Sequence, residues 1–170
     1  MDKTDTLDKE MAAYQAGPFD DVKIQEALTI IAVYAAQMDY QKCEADVKRI
    51  EAILESHPSF VARKKEIFAM INKFVNEMKL SGSQKAIEFA ADTLTPEQRK
   101  IGFELAVEVA LADKSLTAEK EKMLDALKNR LSISKDFVEH TIRNQTEIKQ
   151  KTSKLNRQKR KIGSLQLSTD

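Results

Sequence analysis

The chain has 170 residues, which is enough for one domain with a proper hydrophobic core and too few for two large domains. Four Gly, three Pro and no Trp, with abundant Ala, Glu, Lys and Leu, predict an all-helical protein. The net charge is only +1, and the single cysteine, Cys43, excludes an intramolecular disulfide. The longest uncharged apolar run, residues 28–38, is too short to span a membrane. We therefore expect a cytoplasmic protein without a secretory signal.

The first predicted helix follows a leader of residues 1–20. Over 22–38, apolar residues recur at the spacing of one helix face. A polar link at 40–43 leads into a second helix that is predicted to end near Glu55. Pro58 disfavours helical geometry at the residue before it, so the sequence predicts a break there.

The third helix is predicted over Val61–Leu80. Its inward face is expected to contain six apolar residues: Ile67, Phe68, Ile71, Phe74, Val75 and Met78. The sequence Ser-Gly-Ser at 81–83 indicates a turn, and a short helix is predicted to follow it to about Thr93.

The clearest helix start is the sequence TPEQ at 95–98. Its Thr can cap the helix, its Pro suits the first helical position, and its Gln can complete a capping box. This helix is predicted to end near Ala112, and Thr117 and Ser134 are predicted to cap the last two helices. We therefore expect six or seven helices in one compact all-α bundle.

The segment from residue 149 onward is strongly basic. Residues 149–170 contain seven Lys or Arg and one Asp, a net charge of 7 − 1 = +6, which leaves 21 − 26 = −5 for residues 1–148. This basic tail fits either a solvated, frayed extension, helical up to about Lys161, or an electrostatic arm for nucleic acid or another acidic surface. Because it has no aromatic residue to stack on bases, nucleic-acid contact would be weak and nonspecific. The predicted helical domain then covers 21–148.

A shift of 74 residues aligns the chain with itself. The sequence AVYAAQMDYQKCEADVKRIEAIL (32–54) falls on AVEVALADKSLTAEKEKMLDALK (106–128), and Asp39 meets Asp113. Helical periodicity alone aligns the apolar positions of any two amphipathic helices, but it does not require an acid at the same helix end. The sequence therefore predicts a duplicated helical hairpin, an internal pseudo-repeat with an aspartate at each bend.

Two roles are open for these aspartates. Each can accept hydrogen bonds from the free N–H groups at the start of the following helix. Alternatively, Asp39 with Asp46, and Asp113 with Glu119, can form an oxygen-rich corner for a hard cation such as Ca²⁺ or Mg²⁺. The spacing is not that of an EF-hand, so any such metal site would be open and weak.

The sequence ALADKSLTAEKEKMLDAL, with its partner YAAQMDYQKCEADVKRIEAIL, resembles the Ala-Asp-Gly corner of the TerB-like tellurite-resistance family over roughly residues 22–143. The resemblance implies an all-α, pseudo-duplicated cytoplasmic domain linked to resistance to tellurite and other stresses, with metal binding through the corner acids. It places Asp113 and Glu119 at the acidic positions of the second copy. In the first copy Asp39 takes the first acidic position, and Asp46 is the nearest match to the second, one residue off.

No catalytic constellation is apparent in the sequence. His57 and His140 lie far apart, Cys43 has no nearby His, and the chain lacks a Gly-rich phosphate loop. We therefore predict a non-enzymatic TerB-like domain linked to tellurite and stress resistance that binds a divalent cation weakly through its acidic corners. The alternative is a protein or nucleic-acid adaptor that acts through the basic tail. Either function allows a protein partner or a homo-oligomer.

Overall fold

The computed structural model describes residues 22–36, 44–112 and 116–166. The chain divides into two compact units, Met1–Ile133 and Ser134–Asp170. The described residues contain no β-strand and form one 3₁₀ segment (Pro58–Glu66) and seven α-helices, which confirms the predicted all-α class and number of helices. The helices are α1 (Val22–Ala35), α2 (Glu44–Ser56), α3 (Ile67–Ser81), α4 (Ser83–Thr93), α5 (Pro96–Ala110), α6 (Ala118–Leu131) and α7 (Lys135–Gln166).

Helix α1 forms the centre of the first unit. It packs against α3, α4 and α5, and more lightly against α2 and α6. Every residue from Ala27 to Val33 is buried, so α1 has no solvent-facing stripe over this stretch. A helix enclosed by neighbours on all sides needs apolar residues all round, and this explains the uncharged sequence ALTIIAV.

Helices α1 and α5 approach each other closely at Gly102. A Cβ atom on this residue would lie 2.8 Å from Cδ1 of Ile31 and 3.5 Å from Cδ2 of Leu28, and real Cβ contacts are essentially never shorter than 3.0 Å. The missing side chain therefore leaves room for the end of the Ile31 side chain where α5 packs on the central helix.

Local sequence signals set several helix boundaries as predicted. The Thr95 hydroxyl accepts the Gln98 N–H at 3.3 Å, and the Gln98 side chain accepts the Thr95 N–H at 2.9 Å, which forms the predicted capping box of α5. The hydroxyls of Thr117 and Ser134 each accept the backbone N–H three residues further on, both at 3.2 Å. These caps satisfy N–H groups that have no partner within their own helices.

A single residue, Gly82, separates α3 from α4. Its φ of 80° and ψ of 163° lie in a region that is essentially restricted to glycine. Its N–H donates to the carbonyl oxygen of Met78 at 2.9 Å and so closes the last turn of α3. The turn predicted at 81–83 is confirmed, and its backbone geometry requires the glycine.

The predicted third helix is wrong at its start and at one of its buried residues. Residues 58–66 form the 3₁₀ segment, with a kink at Arg63 (φ −132°, ψ 27°), and α3 begins only at Ile67. Phe68 is 53% exposed, and Val75, two turns further along the same edge, is half-buried. Helix α3 buries one apolar stripe, which consists of Ile67, Met70, Ile71, Phe74 and Met78, and Phe68 lies outside it.

The second unit contains helix α7, which is 32 residues long. The hydroxyls of Thr146 and Thr152 donate to the carbonyl oxygens of Ile142 and Ile148, four residues earlier, at 2.7 and 2.9 Å. Helix α7 passes through residue 149 without a break and reaches Gln166, so the tail is helical beyond the point that the sequence predicted. The division of the chain at residue 148 therefore stays a prediction based on charge, and the predicted leader lies outside the described residues.

Within the described ranges, no helix is both long enough and apolar enough to cross a bilayer.

Candidate functional site

The four acids predicted to hold a cation fall only partly within the described residues. Asp39 and Asp113 lie outside them. Asp46, in the first turn of α2, forms an ion pair with Arg49 in which Oδ1 lies 3.4 Å from Nη1. Glu119 is exposed in the first turn of α6. In the part of the chain that the structure describes, no three His, Cys, Asp or Glu side chains come together to hold a metal, so the Ca²⁺ or Mg²⁺ site stays a prediction.

The helices of the two predicted hairpins have corresponding boundaries. Helices α1 and α5 end at Ala35 and Ala110, which differ by 110 − 35 = 75, and α2 and α6 begin at Glu44 and Ala118, which differ by 118 − 44 = 74. The bends themselves (37–43 and 113–115) are not among the described residues. Core positions also correspond under the shift of 74, since buried residues 28, 29, 31, 32, 33 and 35 fall on buried residues 102, 103, 105, 106, 107 and 109.

A polar cluster joins the start of the 3₁₀ segment to the central helix. The fully buried Gln25 of α1 donates through Nε2 to the carbonyl oxygen of Ser59 at 3.0 Å. Nδ1 of His57 accepts the N–H of the same serine at 3.3 Å and caps the segment, while His57 itself has the extended backbone predicted for a residue before proline. The imidazole also meets the ring of Phe60 edge-on, with the centroids 6.2 Å apart. The cluster therefore gives His57 a structural role.

This cap is expected to make folding sensitive to acid. Burial lowers the pKa of His57 below its ordinary value of 6.5. The unfolded chain therefore binds the proton more readily, so the contribution of His57 is fully present above about pH 6.5 and is lost as the pH falls through the folded-state pKa. The Asn side chain of a His57→Asn variant can accept the same N–H but does not titrate. Between about pH 7 and pH 5, we therefore expect the melting temperature of this variant to fall less than that of the unsubstituted chain.

The matched control for this experiment is His140→Asn, which leaves His57 in place and should fall in melting temperature like the unsubstituted chain. If the melting temperatures of the His57→Asn and His140→Asn proteins fall equally on acidification, His57 does not cause the acid sensitivity.

Surface grooves lie between described helices of the first unit, and two of them contain charged side chains. The groove between α1, α3 and α4 has a volume of about 340 Å³, and in it Nζ of Lys73 lies 3.7 Å from Oε1 of Glu26 and 5.1 Å from the centroid of the Phe74 ring. The groove between α2 and α3 has about 370 Å³. Acids and lysines occur together in both linings, so neither groove selects strongly for one sign of charge: Glu26, Glu77, Lys73 and Lys85 in the first, and Glu44, Glu51 and Lys48 in the second.

The C-terminal half of α7 carries charge of one sign only. Residues 149–166, which we call the basic half of α7, contain seven cations and no acid along 18 residues, or about 27 Å of helix axis. At about 100° per residue these cations lie on all sides of the helix. They are Lys149, Lys151, Lys154, Arg157, Lys159, Arg160 and Lys161.

Several of these cations are neighbours on the helix surface. Lys151 and Lys154, Lys154 and Arg157, and Arg157 and Lys161 are three or four residues apart. Like charges at this spacing destabilise a helix by about 0.2–0.5 kcal/mol per pair. An anionic partner would remove this repulsion and add an attraction, so anion binding and helix stability are expected to be coupled.

No protein-family model, curated protein or solved structure matches the chain. The resemblance to the TerB-like family rests on the two corner motifs and stays a prediction.

Proposed function

We propose that this protein is a non-enzymatic adaptor that attaches to a polyanionic surface through the basic half of α7. The observation that supports this function is the unbroken helix over 149–166 with seven cations and no acid. A helix holds its cations at fixed spacing, so several can engage the anions of an extended surface at the same time. Each cation that neutralises a phosphate also releases condensed counterions, which makes the attachment strongly dependent on salt.

The rest of the chain has the opposite charge. Residues 1–148 carry 21 cations and 26 acids, a net charge of −5. An anionic surface repels this part of the chain, so we expect attachment through α7 alone. Such a division of charge suits an adaptor, because the remaining surface is left available to a second partner.

His57 and Asp46, two residues of types that often bind metals or catalyse reactions, have structural contacts in this protein. His57 caps the 3₁₀ segment through Nδ1, and Asp46 pairs with Arg49. The two grooves of the first unit mix acids with lysines, which favours neither a phosphate nor a metal as ligand. A binding role therefore fits the described residues better than a catalytic one.

The test compares the full chain with a version that ends at Ile148. Immobilised heparin is a suitable probe because it is a polyanion that offers neither bases nor lipid. We expect heparin to retain the full chain until salt elutes it, and the shortened chain, with its net charge of −5, to flow through.

The melting temperatures of both proteins serve as the control, since the removed residues lie outside the compact unit Met1–Ile133. Equal retention of the two folded proteins, or retention that salt does not reverse, would contradict the proposed function.

A further inference from the structure

A line of apolar side chains runs along the basic half of α7 and begins one residue before it. Ile148, Leu155 and Ile162 are 63%, 52% and 58% exposed. They are seven residues apart, so successive members differ by only about 20° around the helix axis. One exposed apolar residue needs no explanation, but three in line form an apolar edge about 21 Å long. We call these three residues the apolar line.

Lysines border the apolar line on both sides. Lys151 and Lys159 lie about 40° to either side of Leu155 around the helix axis. Their long aliphatic stems can cover apolar surface while the ammonium groups reach toward anions. The hydroxyl of Thr152, which lies between them in sequence, already donates to the carbonyl oxygen of Ile148 at 2.9 Å. Apolar residues with basic flanks are typical of helices that lie in a membrane interface.

We propose that the basic half of α7 binds the surface of an anionic lipid bilayer, with the helix axis parallel to the membrane and the apolar line inserted among the headgroups. This inference rests on the proposed polyanion attachment and specifies its surface. Charge complementarity supports it, because this helix segment carries seven cations and no acid, and Lys151 and Lys159 flank the apolar line on the side that meets the negative headgroups. The apolar line supplies a second attraction, which a lipid surface satisfies together with the charge.

A coiled coil fits the same residues less well. If the apolar line occupied the d positions of a heptad, the a positions would be Gln145, Thr152 and Lys159, all of them polar. Two copies of the basic half would also bring 7 + 7 = 14 cations together. A second copy of this helix is therefore a poor partner.

Nucleic acid would bind the cations of this surface but not its apolar line. Phosphates would neutralise the cations, but the three aliphatic side chains would find no apolar surface. The basic half also contains no aromatic residue on which a base could stack.

The experiment replaces the apolar line and keeps every charge. The variant Ile148→Gln, Leu155→Gln, Ile162→Gln retains good helix formers and all seven cations. The matched control replaces three exposed apolar residues of the first unit, Val61→Gln, Phe68→Gln, Leu80→Gln. Binding of each full-length protein is measured by co-sedimentation with vesicles of equimolar phosphatidylglycerol and phosphatidylcholine, with vesicles of phosphatidylcholine alone, and by retention on heparin.

We expect the apolar-line variant to bind the anionic vesicles about tenfold or more weakly than the unsubstituted chain and the matched control. All three proteins should be retained equally on heparin, and none should bind phosphatidylcholine alone. Vesicle binding that the apolar-line variant retains in full would overturn the membrane inference while the proposed polyanion attachment stands. Retention of the unsubstituted chain on heparin without binding to the anionic vesicles would also overturn the membrane inference, in favour of a polyanion that is not a lipid surface. If the unsubstituted chain is not retained on heparin, the proposed function itself is wrong.

Discussion

Reversing three lysines of α7, in the variant Lys151→Glu, Lys154→Glu, Lys159→Glu, is expected to weaken binding to a polyanionic surface by more than about 100-fold. Each Lys or Arg near an anionic surface contributes about 1 kcal/mol, so losing three corresponds to about 3 kcal/mol. Since about 1.4 kcal/mol is a factor of ten in affinity, this loss alone exceeds 100-fold, and the three new acids add repulsion. Glutamate is as good a helix former as lysine, so α7 itself should persist.

The control moves the same charge change to the first unit. The control variant replaces three exposed lysines of that unit: Lys64→Glu, Lys85→Glu, Lys122→Glu. Both triple variants have a net charge of 1 − 6 = −5. Binding to heparin and to anionic vesicles is measured at about 0.1 M and about 1 M salt, where the Debye length falls from about 10 Å to about 3 Å. We expect a large difference between the variants only at low salt. Equal weakening by both would mean that net charge, and not the position of the charge on α7, controls binding.

Features that a few neighbouring residues determine could be predicted from the sequence. The capping box needs only Thr95, Gln98 and the proline between them, and the α3–α4 junction needs only a glycine at 82. The extended backbone of His57 follows from Pro58 in the same way. Such boundaries are local because the chemistry that fixes them lies within one turn of the chain.

Burial at the edge of an apolar stripe could not be predicted in this way. Phe68 is as apolar as Phe74, but only the neighbouring helices decide which of them faces the core. Helix α3 packs against α1, α2 and α4, and the residues that it buries are Ile67, Met70, Ile71, Phe74 and Met78. The same limit applies to Gly102, whose purpose is visible only where α5 meets α1.

The candidate site was predicted only in part. The sequence located the cations of the tail, but placing a boundary at residue 149 separated Ile148 from Leu155 and Ile162 and hid their seven-residue spacing. The continuous helix α7 restores that spacing. A search for apolar residues at heptad intervals that ignored the charge boundary would have found the apolar line. The corner aspartates, Asp39 and Asp113, lie outside the described residues, so the cation interpretation gains nothing from the structure.

The contact between α1 and α5 is expected to tolerate no branched side chain at Gly102. The Cβ of a Gly102→Val variant would lie 2.8 Å from Cδ1 of Ile31 and 3.7 Å from Cδ1 of Leu94. Ile31 is fully buried and Leu94 nearly so, which leaves the two extra methyl groups little space. Overpacking of this kind costs typically 1–3 kcal/mol and occasionally more, so we expect a loss of about 3 kcal/mol in the free energy of unfolding, measured by urea denaturation.

Two further substitutions separate this clash from the intrinsic effect of valine in a helix. Gly163→Val, at a helical glycine with nothing within 4 Å of the added Cβ, should cost no stability. Ile31→Val removes the atom that clashes, so the cost of Gly102→Val should be smaller in the Ile31→Val background, and an unchanged cost would contradict the overpacking explanation.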